Sequence, residues 1–546
     1  MEYINFDKTA GFKKLTEYSK KPAFNFKNNL DAKRVDQCIT PMAGGLKYSW
    51  AAKSVDSQCI RLLQELSDEQ ELIAKYKALL NGEVMNTGEN RKVLHQLSRG
   101  EQGKPVIENG KDIGDFYRKE LARFCAFASD VHKGVFIGST GQPFTTVVQI
   151  GIGGSDLGPR ALYLALENWA EAEGKKKLNA KFISNVDPDD ASAVIASVDL
   201  DTSLFILVSK SGTTQETLAN ELFVKDKLTK AGLETSKHMI AVTSETSPLA
   251  NNSAYLDSFY IDDYIGGRYS SCSAVGGCVL SLAFGPQVFK DFLAGAAEAD
   301  KLALNKDALK NAALLDALIG IWERNFLGYP YTAVLPYSQA LSRFPAHLQQ
   351  MDMESNGKCV NRSGEPVKYD TGPVIFGEPG TNGQHSFFQL LHQGTGIIPL
   401  QFIGFTESQK NDDVKVDNSS SQTKLAANLA AQIVAFAKGQ DSDDRNKEFS
   451  GGRPSSLIFG KKLTPAALGS LLAHFENKVM FQGFMWNLNS FDQEGVQLGK
   501  ILTKKVLSGD YGDSALEAYS KMLGIKKSLP AKIFHKVTDF FKKLRR

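Results

Sequence analysis

The 546-residue sequence has little excess charge and no long uninterrupted apolar run. Lys and Arg number 64 against 61 Asp and Glu, and a net charge of +3 is too small to indicate nucleic acid or membrane as the main partner. The longest weakly polar stretch, residues 271–289, is broken by Gly, Ser and Pro, which favours a buried helix over a membrane span. The N-terminal residues lack the apolar segment of a secretory signal. These features are typical of a soluble globular protein.

The cysteines lack the spacing of a zinc site or a disulfide framework. They are scattered at positions 38, 59, 125, 272, 278 and 359. Free thiols are typical of a reducing compartment, so we expect a cytoplasmic location. The chain is long enough for two or more domains with sizeable cores.

Apolar runs alternate with helical patterns along most of the chain. In a first unit the strands are predicted at 145–150, 181–186, 204–208 and 238–243. In a second unit they are predicted at 331–337, 373–377 and 396–405, with helices at 338–355, 384–393, 421–438 and 464–483. This alternation indicates parallel sheets with crossover helices. The first 110 residues are predicted to be mostly helical, with 62–80 as one amphipathic helix.

A hydroxyl-rich loop follows the predicted strand 204–208. Its sequence, SKSGTT, is followed by a predicted helix with Gln215 and Glu216 in the first turn. Free backbone N–H groups, hydroxyls and the positive end of a helix dipole together favour a phosphate site, to which Lys210 adds a cation. The glycine spacing of a nucleotide-binding P-loop is absent, so a small phosphomonoester suits the loop better. The alternative is that these residues only cap the helix.

The segment GIGGSDLGP (151–159) partly matches a dinucleotide fingerprint. The third glycine of that fingerprint would fall at 156, where the chain has Asp156, and the acidic residue expected about 20 positions later is missing. NAD is therefore rejected. The glycines and Ser155 still allow the backbone to approach a polar ligand at the end of a strand.

Four further segments carry candidate functional residues. Arg268 lies in a Gly-Gly-Arg turn, and Gln350 and Glu354 lie one helical turn apart. His385 begins a predicted helix. Gln493 and Lys500 flank a glycine-bearing segment. Each also has a structural interpretation, as a surface charge, a helix cap or a core residue. His385 and His392 do not make a metal site, because no third ligand is evident.

Six of these segments, in this order, resemble the glucose-6-phosphate isomerase family. They are IGIGGSDLGP, SKSGTTQET, GGRYSSCSAVG, QQMDMESNGK, GQHSFFQLLHQG and FDQEGVQLGK, and the resemblance runs from about residue 145 to 500. It implies an α/β fold with two sugar isomerase (SIS) domains, each an αβα sandwich around a mainly parallel sheet. The expected division is a helical N-terminal extension at 1–110, SIS domains at 111–290 and 291–510, and a helical C-terminal tail at 511–546.

The resemblance also implies an activity. The family consists of aldose–ketose isomerases that interconvert D-glucose 6-phosphate and D-fructose 6-phosphate in glycolysis and gluconeogenesis. They open the sugar ring and transfer a proton through a cis-enediol(ate), without a metal or an organic cofactor. They are homodimers with shared active sites, and we expect no nucleic-acid or membrane partner.

Individual roles are carried over by motif. The substrate-binding residues would be Gly154, Ser155, Ser209, Lys210, Ser211, Gly212, Thr213, Thr214, Gln350 and Gln493. Glu354 would move the proton between C2 and C1, and Arg268 would stabilise the enediolate. His385, supplied by the partner subunit and oriented by Glu216, would open the ring together with Lys500.

Two positions depart from the family pattern. Gln497 stands where Glu is usual, and Ser211-Gly212 stands where many members have Thr-Phe. Ser keeps the hydroxyl, so we expect phosphate binding to survive.

The basic C-terminal segment places an apolar stripe on one helical face, which favours docking on the protein itself over binding to membrane or RNA. The stripe consists of Ile533, Val537, Phe540, Phe541 and Leu544.

Two other functions stay open at this point. One is a SIS-type module that senses sugar phosphates without converting them. Binding alone would not need Arg268, Glu354, His385 and Lys500 together, so their presence disfavours this function. The other is a related isomerase that acts, for example, on mannose 6-phosphate.

Overall fold

The computed structural model describes residues 2–21, 24–100 and 102–525. The chain divides into two compact units between Phe491 and Asp492. The apolar stripe predicted in the C-terminal tail, at residues 533–544, lies outside the described residues. Among the helices within the described ranges, none is both long and apolar enough to cross a membrane.

The first sheet has five strands, all parallel. Their order across the sheet is Ser258–Tyr260, Met239–Thr243, Ser203–Val208, Thr146–Ile150 and Asn179–Ile183. The central strand Ser203–Val208 is buried at every position, because helices cover both faces. Helices on these faces follow the strands in sequence, at Leu157–Ala172, Pro188–Ala196 and Gln215–Lys230.

The second sheet has six strands and is mixed. Its order is Ile39–Pro41, Lys47–Ser49, Ser455–Gly460, Leu400–Phe405, Tyr331–Tyr337 and Val374–Phe376. The last four are mutually parallel, whereas the first two form a hairpin whose second strand runs antiparallel to Ser455–Gly460. The helices after these strands are Phe344–Asn356, Phe388–Gln393, Ser421–Lys438 and Pro465–Met485.

The remaining helices lie before, between and after the strands of the two sheets in sequence. In the N-terminal region they are Ala10–Ser19, Phe26–Asn29, Ala32–Gln37, Ser57–Glu69, Leu72–Leu80 and Ile113–His132. Between the sheets in sequence lie Ala274–Phe284, Pro286–Leu302 and Ala312–Ile321. The unit that begins at Asp492 contains Gln497–Ser508 and Ser514–Met522.

Five predicted elements differ from the structure. The helices expected at 338–355 and 384–393 begin only at Phe344 and Phe388, each after a short 3-10 turn. The single helix expected at 62–80 is two helices. Between them, Glu71 has a left-handed backbone conformation, and the buried side chain of Gln70 donates a hydrogen bond to the carbonyl of Ile4. The strand expected at 181–186 ends at Ile183, where the side chain of Asp190 accepts the next backbone N–H groups. The strand expected from 396 begins only at Leu400, after Pro399, which has no N–H to donate.

A buried cation joins three elements of the core. The guanidinium of Arg99 has no exposed side-chain surface and donates to both oxygens of Asp300, at 3.1 and 3.0 Å. It also pairs with Glu476 and donates from Nε to the thiol of Cys272 at 3.2 Å. One side chain thus links the helices Pro286–Leu302 and Pro465–Met485 to the turn that contains Cys272.

A narrow polar cavity lies under the second sheet, with about 20 Å³ of space for the centres of water molecules. Buried Asp352 lines it, and the Oδ1 atom of Asp352 has no hydrogen-bond partner among the described residues. Burial raises the pKa of Asp352 to about 6, although the ammonium of Lys478 opposes the rise. The carboxylate form is therefore disfavoured in the folded state.

We predict that Asp352→Asn stabilises the protein above pH 6 by up to about 3 kcal/mol. The folded-state pKa of about 6 exceeds the unfolded value of about 3.9, so the folded state binds the extra proton between these two values. The wild type consequently loses stability as the pH rises through that window, and the variant does not. Chemical denaturation of both proteins from about pH 4 to 8 measures the difference.

The exposed substitution Asp443→Asn serves as the matched control, since it removes the same charge at the surface. We expect Asp443→Asn to follow the wild-type curve. An Asp352→Asn protein that is less stable than the wild type at every pH would contradict the assignment of an unfavourable buried charge.

Candidate active site

The carboxyl ends of three strands in the first sheet carry the candidate residues. The hydroxyl-rich loop 209–214 follows Ser203–Val208, and the short turn Gly153–Ser155 follows Thr146–Ile150. A second turn, Gly267–Cys272, comes after Ser258–Tyr260. Ligands of open parallel sheets bind at this edge, so the topology brings the three segments to the expected place.

The hydroxyls of loop 209–214 bond mainly to one another. Ser209 Oγ donates to Thr214 Oγ1 at 3.2 Å, and Thr213 donates to Ser211 Oγ from both its N–H and its hydroxyl, at 3.2 and 3.0 Å. Thr214 occupies the N-cap of the helix Gln215–Lys230 but makes no side-chain capping bond there. The helix-capping alternative is therefore not supported for Thr214. The first turn of the helix keeps N–H groups and a positive dipole end for an anion.

Two residues shape this loop. Gly212 has a φ of +65°, a conformation that glycine adopts without strain, and a Cβ there would lie 2.2 Å from Ser247 Oγ. Lys210 donates from Nζ to the carbonyl of Ile265 at 3.0 Å and lies 3.6 Å from Asp263 Oδ1. Burial lowers the pKa of Lys210, and the neighbouring carboxylates oppose that shift. Lys210 thereby ties the loop to the segment that leads into the Arg268 turn.

The turns Gly153–Ser155 and Gly267–Cys272 are in direct contact. A Cβ on Gly154 would lie 2.2 Å from the carbonyl carbon and oxygen of Gly267, so only glycine fits at 154. Ser155 is half-buried in the same turn, and its carbonyl accepts a bond from the Gln149 amide at 2.8 Å. The close approach brings Ser155 and Arg268 to one region.

The helix Phe344–Asn356 supplies the glutamine and the carboxylate. Gln350 and Glu354 lie one turn apart on one face, while Phe344 and Met351 anchor the helix in the core. The Nε2 atom of Gln350 is 3.3 Å from where a Cβ on Gly153 would lie. Gln350 Oε1 and Glu354 Oε2 are both buried and have no hydrogen-bond partner among the described residues. Two acceptor oxygens therefore remain available to a ligand.

Arg268 is the cation of the site. Its side chain is 1% exposed, and Nη1 lies 3.5 Å from Glu354 Oε2. Nε donates to Ser355 Oγ at 2.7 Å and Nη2 donates to the carbonyl of Ser490 at 2.6 Å. A fixed guanidinium thus faces a carboxylate oxygen that has no hydrogen-bond partner among the described residues, which suits stabilisation of a developing anion next to a proton acceptor.

Two predicted residues of the first unit, His385 and Glu216, have no hydrogen bond or ion pair to this group among the described residues. His385 is exposed in the turn Asn382–His385, and Glu216 is half-buried in the first turn of its helix. Within the described ranges, no hydrogen bond or ion pair links His385 to Glu216 or to Glu354. Gln493 and Lys500 belong to the unit that begins at Asp492, where both are exposed and Lys500 lies in the helix Gln497–Ser508. The roles of all four stay predictions.

Ser355, Tyr269 and Ser490 are site residues that sequence reasoning missed. Ser355 follows Glu354 and Tyr269 follows Arg268 in the sequence. A sequence does not show which group a hydroxyl will bond to, so neither residue could be assigned. Ser490 contributes its backbone carbonyl, which carries no side-chain signal at all.

The chain is similar to known proteins along most of its length. The sequence profile of the family described as Phosphoglucose isomerase matches residues 49–521. The glucose-6-phosphate isomerase of Treponema denticola is 61% identical over 529 residues, covering 96% of this chain and 100% of that protein. The enzyme of the same name from Borreliella afzelii is 48% identical over 528 residues, covering 96% and 99%.

A solved structure extends the likeness to the fold. The crystal structure of a glucose-6-phosphate isomerase from Chlamydia trachomatis matches with a TM-score of 0.89 at 41% identity, covering 96% of this chain and all of that one. The likeness and the two sheets confirm the predicted α/β class with two SIS-type αβα sandwiches. The chain belongs to the phosphoglucose isomerase family.

Proposed function

We propose that this chain is an aldose–ketose isomerase that interconverts D-glucose 6-phosphate and D-fructose 6-phosphate in glycolysis and gluconeogenesis. The observation that carries the proposal is the pair formed by Glu354 and Arg268 at the edge of the first sheet. Proton abstraction next to a carbonyl requires a carboxylate oxygen free to accept the proton and a cation held close by. Glu354 Oε2 has no hydrogen-bond partner among the described residues, and Arg268 is held by two hydrogen bonds. The activity named for the relatives agrees with this chemistry.

The loop 209–214 would hold the phosphate group. Ser209, Ser211, Thr213 and Thr214 offer hydroxyls, the helix offers its N-terminal N–H groups, and Lys210 offers a cation close by. Gly212 gives the loop its turn, and Gly154, Ser155 and Gln350 would contact the sugar. Phosphate contacts far from the reacting carbons supply binding energy that positions C1 and C2 at the carboxylate.

Glu354 would carry the proton. From open-chain glucose 6-phosphate it removes the proton on C2, the electron pair forms a C1–C2 double bond, and the carbonyl electrons of C1 move to O1 as the cis-enediolate. Arg268 stabilises that negative charge, because its guanidinium stays protonated throughout. The O2 hydroxyl proton passes to O1, which becomes the C1 hydroxyl. Glu354 returns its proton to C1 as the C1–C2 double bond opens, and C2=O2 becomes the carbonyl of fructose 6-phosphate.

Ring opening would use groups from outside this cluster. We assign it to His385, oriented by Glu216, and to Lys500, with Gln493 holding substrate, as the resemblance implies. His385 is exposed and makes no contact with Glu354 within the described part of its own chain, which supports its supply by a second subunit. The proposal therefore includes a homodimer with shared active sites.

The remaining assignments are also proposals. Residues 111–290 and 291–510 would act as the two SIS domains, with extensions at 1–110 and 511–546. A cytoplasmic location is supported by the six cysteines, all of which are free thiols. The reaction is expected to need no metal or organic cofactor, and no nucleic-acid or membrane partner.

A coupled assay tests the activity and its base together. Fructose 6-phosphate is supplied and the appearance of glucose 6-phosphate is followed, with and without a chelator. We expect turnover that the chelator leaves unchanged, and a loss of kcat of about 10²- to 10⁴-fold in Glu354→Gln, because the amide cannot accept the proton. Titration calorimetry with fructose 6-phosphate should still detect binding to Glu354→Gln.

The exposed substitution Glu234→Gln is the matched control and should keep wild-type kcat. Wild-type protein that is folded and binds fructose 6-phosphate without turnover would indicate a sensor instead. Faster turnover of mannose 6-phosphate in a parallel assay would indicate the related isomerase.

Removal of one loop hydroxyl should weaken phosphate binding. We expect Ser211→Ala to raise KM for fructose 6-phosphate about tenfold, since a hydrogen bond to a charged group is lost, and to leave kcat within a small factor. Inorganic phosphate should inhibit the variant less strongly by the same factor. Ser236→Ala, at a half-buried serine in the short 3-10 helix Thr235–Lys237, is the control and should leave both constants unchanged. An unaltered KM in Ser211→Ala would remove Ser211 from the phosphate site.

Mixing two inactive variants tests the shared site. Glu354→Gln and His385→Ala are unfolded together and refolded as a mixture. If His385 acts across the dimer, each hybrid dimer has one site with both defects and one with neither, and about one quarter of wild-type activity returns. If His385 acts within its own chain, every site keeps a defect and no activity returns. Sedimentation that shows an active monomer would also contradict the arrangement.

A further inference from the structure

We propose that Ser355 and Tyr269 are positioning residues that hold the Arg268 guanidinium in place and keep it from closing onto Glu354. The inference rests on the proposed isomerase function, because it concerns how the cation and the base of that reaction coexist. Ser355 and Tyr269 lie outside the phosphate loop 209–214, and neither is the proposed base. Both would act through Arg268.

The guanidinium is held along two edges. Nε donates to Ser355 Oγ at 2.7 Å, and Nη2 donates to the carbonyl of Ser490 at 2.6 Å. Ser355 is completely buried, so no solvent competes for its oxygen. Two short bonds to a planar group fix both the position and the plane of the guanidinium.

Ser355 is fixed in turn by Tyr269. The two hydroxyl oxygens are 2.7 Å apart, and a serine oxygen that accepts from Arg268 still has a proton and a second lone pair for the tyrosine. The Tyr269 ring is buried, stacks on His95 with centroids 4.6 Å apart, and lies 5.8 Å from the ring of Phe491. Rings on two sides therefore limit movement of the Tyr269 hydroxyl.

The stacked histidine contributes no second charge. Burial, followed by the nearby cations of Arg99 and Arg268, holds the pKa of His95 well below its usual range. His95 is also completely surrounded by protein, and neither ring nitrogen has a hydrogen-bond partner in the described part of the chain. It packs as a neutral aromatic ring, so Arg268 remains the cation that faces Glu354.

The consequence is the distance between Arg268 and Glu354. Nη1 lies 3.5 Å from Oε2, whereas a charge-assisted hydrogen bond between such groups is typically about 2.7–2.9 Å. An arginine free to rotate would close this gap and form a paired, engaged carboxylate. By bonding Nε, Ser355 keeps the cation close enough to stabilise an anion and leaves the carboxylate available as a base.

Three substitutions test the proposal in the fructose 6-phosphate assay. Ser355→Ala should lower kcat by about 10- to 100-fold, because small displacements of a catalytic group have effects of this size, with KM within about twofold. Tyr269→Phe keeps the stacked ring and loses the hydroxyl, so a smaller loss of kcat is expected. Ser355→Thr keeps the hydroxyl and should recover most of the activity lost in Ser355→Ala.

Ser470→Ala is the matched control. Ser470 is equally buried and donates to the carbonyl of Ala43 at 2.8 Å, in a part of the core that does not touch Arg268. It should lose stability to a similar extent and keep wild-type kcat, which separates positioning of Arg268 from loss of a buried hydrogen bond.

The outcomes are distinct. Wild-type kcat in both Ser355→Ala and Tyr269→Phe, a change confined to KM, or an equal loss of kcat in Ser470→Ala would each overturn the inference. The isomerase function would survive any of these, because wild-type turnover is measured in the same assay. A wild type without turnover would overturn both. If Ser355→Ala does not fold, Tyr269→Phe decides alone.

Discussion

Burial of guanidinium groups is the constraint on which the rest of this structure depends. Arg99 and Arg268 are both almost completely enclosed, and an enclosed cation is tolerated only where acceptors meet every edge. Arg99 draws Asp300 and Glu476 to it from two helices and reaches Cys272 at the end of the turn that begins next to Arg268. The core and the site are therefore connected through one short turn. The position of Arg268 therefore depends on the packing of the helices behind it.

Much of the fold could be predicted, because a buried strand is visible in the sequence as a short run of apolar residues. The strand Tyr331–Tyr337 and the helix Ser421–Lys438 have the bounds that periodicity predicted. Predictions failed where a distant residue decided the outcome. Gln70 interrupts a helical pattern because Ile4 lies beside it, and the hairpin of Ile39–Pro41 and Lys47–Ser49 is stable only against a strand more than 400 residues away.

The site followed from the sequence in part. A hydroxyl-rich loop after a buried strand is compatible with an anion site and with a simple helix cap, and the structure adds that Thr214 makes no side-chain capping bond. The pairing of Arg268 with Glu354 crosses 86 positions in sequence and came only from resemblance to a family. Ser355 could not be assigned, since nothing in a sequence distinguishes a hydroxyl that orients a cation from one that merely fills a core.

The mixed second sheet has a consequence for synthesis of the chain. The first sheet uses strands from one continuous stretch, 146–260, and can form as soon as that stretch has left the ribosome. The second sheet cannot, because Lys47–Ser49 pairs with Ser455–Gly460, which is made more than 400 residues later. The edge of Lys47–Ser49 that pairs with Ser455–Gly460 therefore stays unpaired until the intervening residues have been synthesised. The early-emerging edge of the second sheet is thus the part of the nascent protein most in need of protection from other chains.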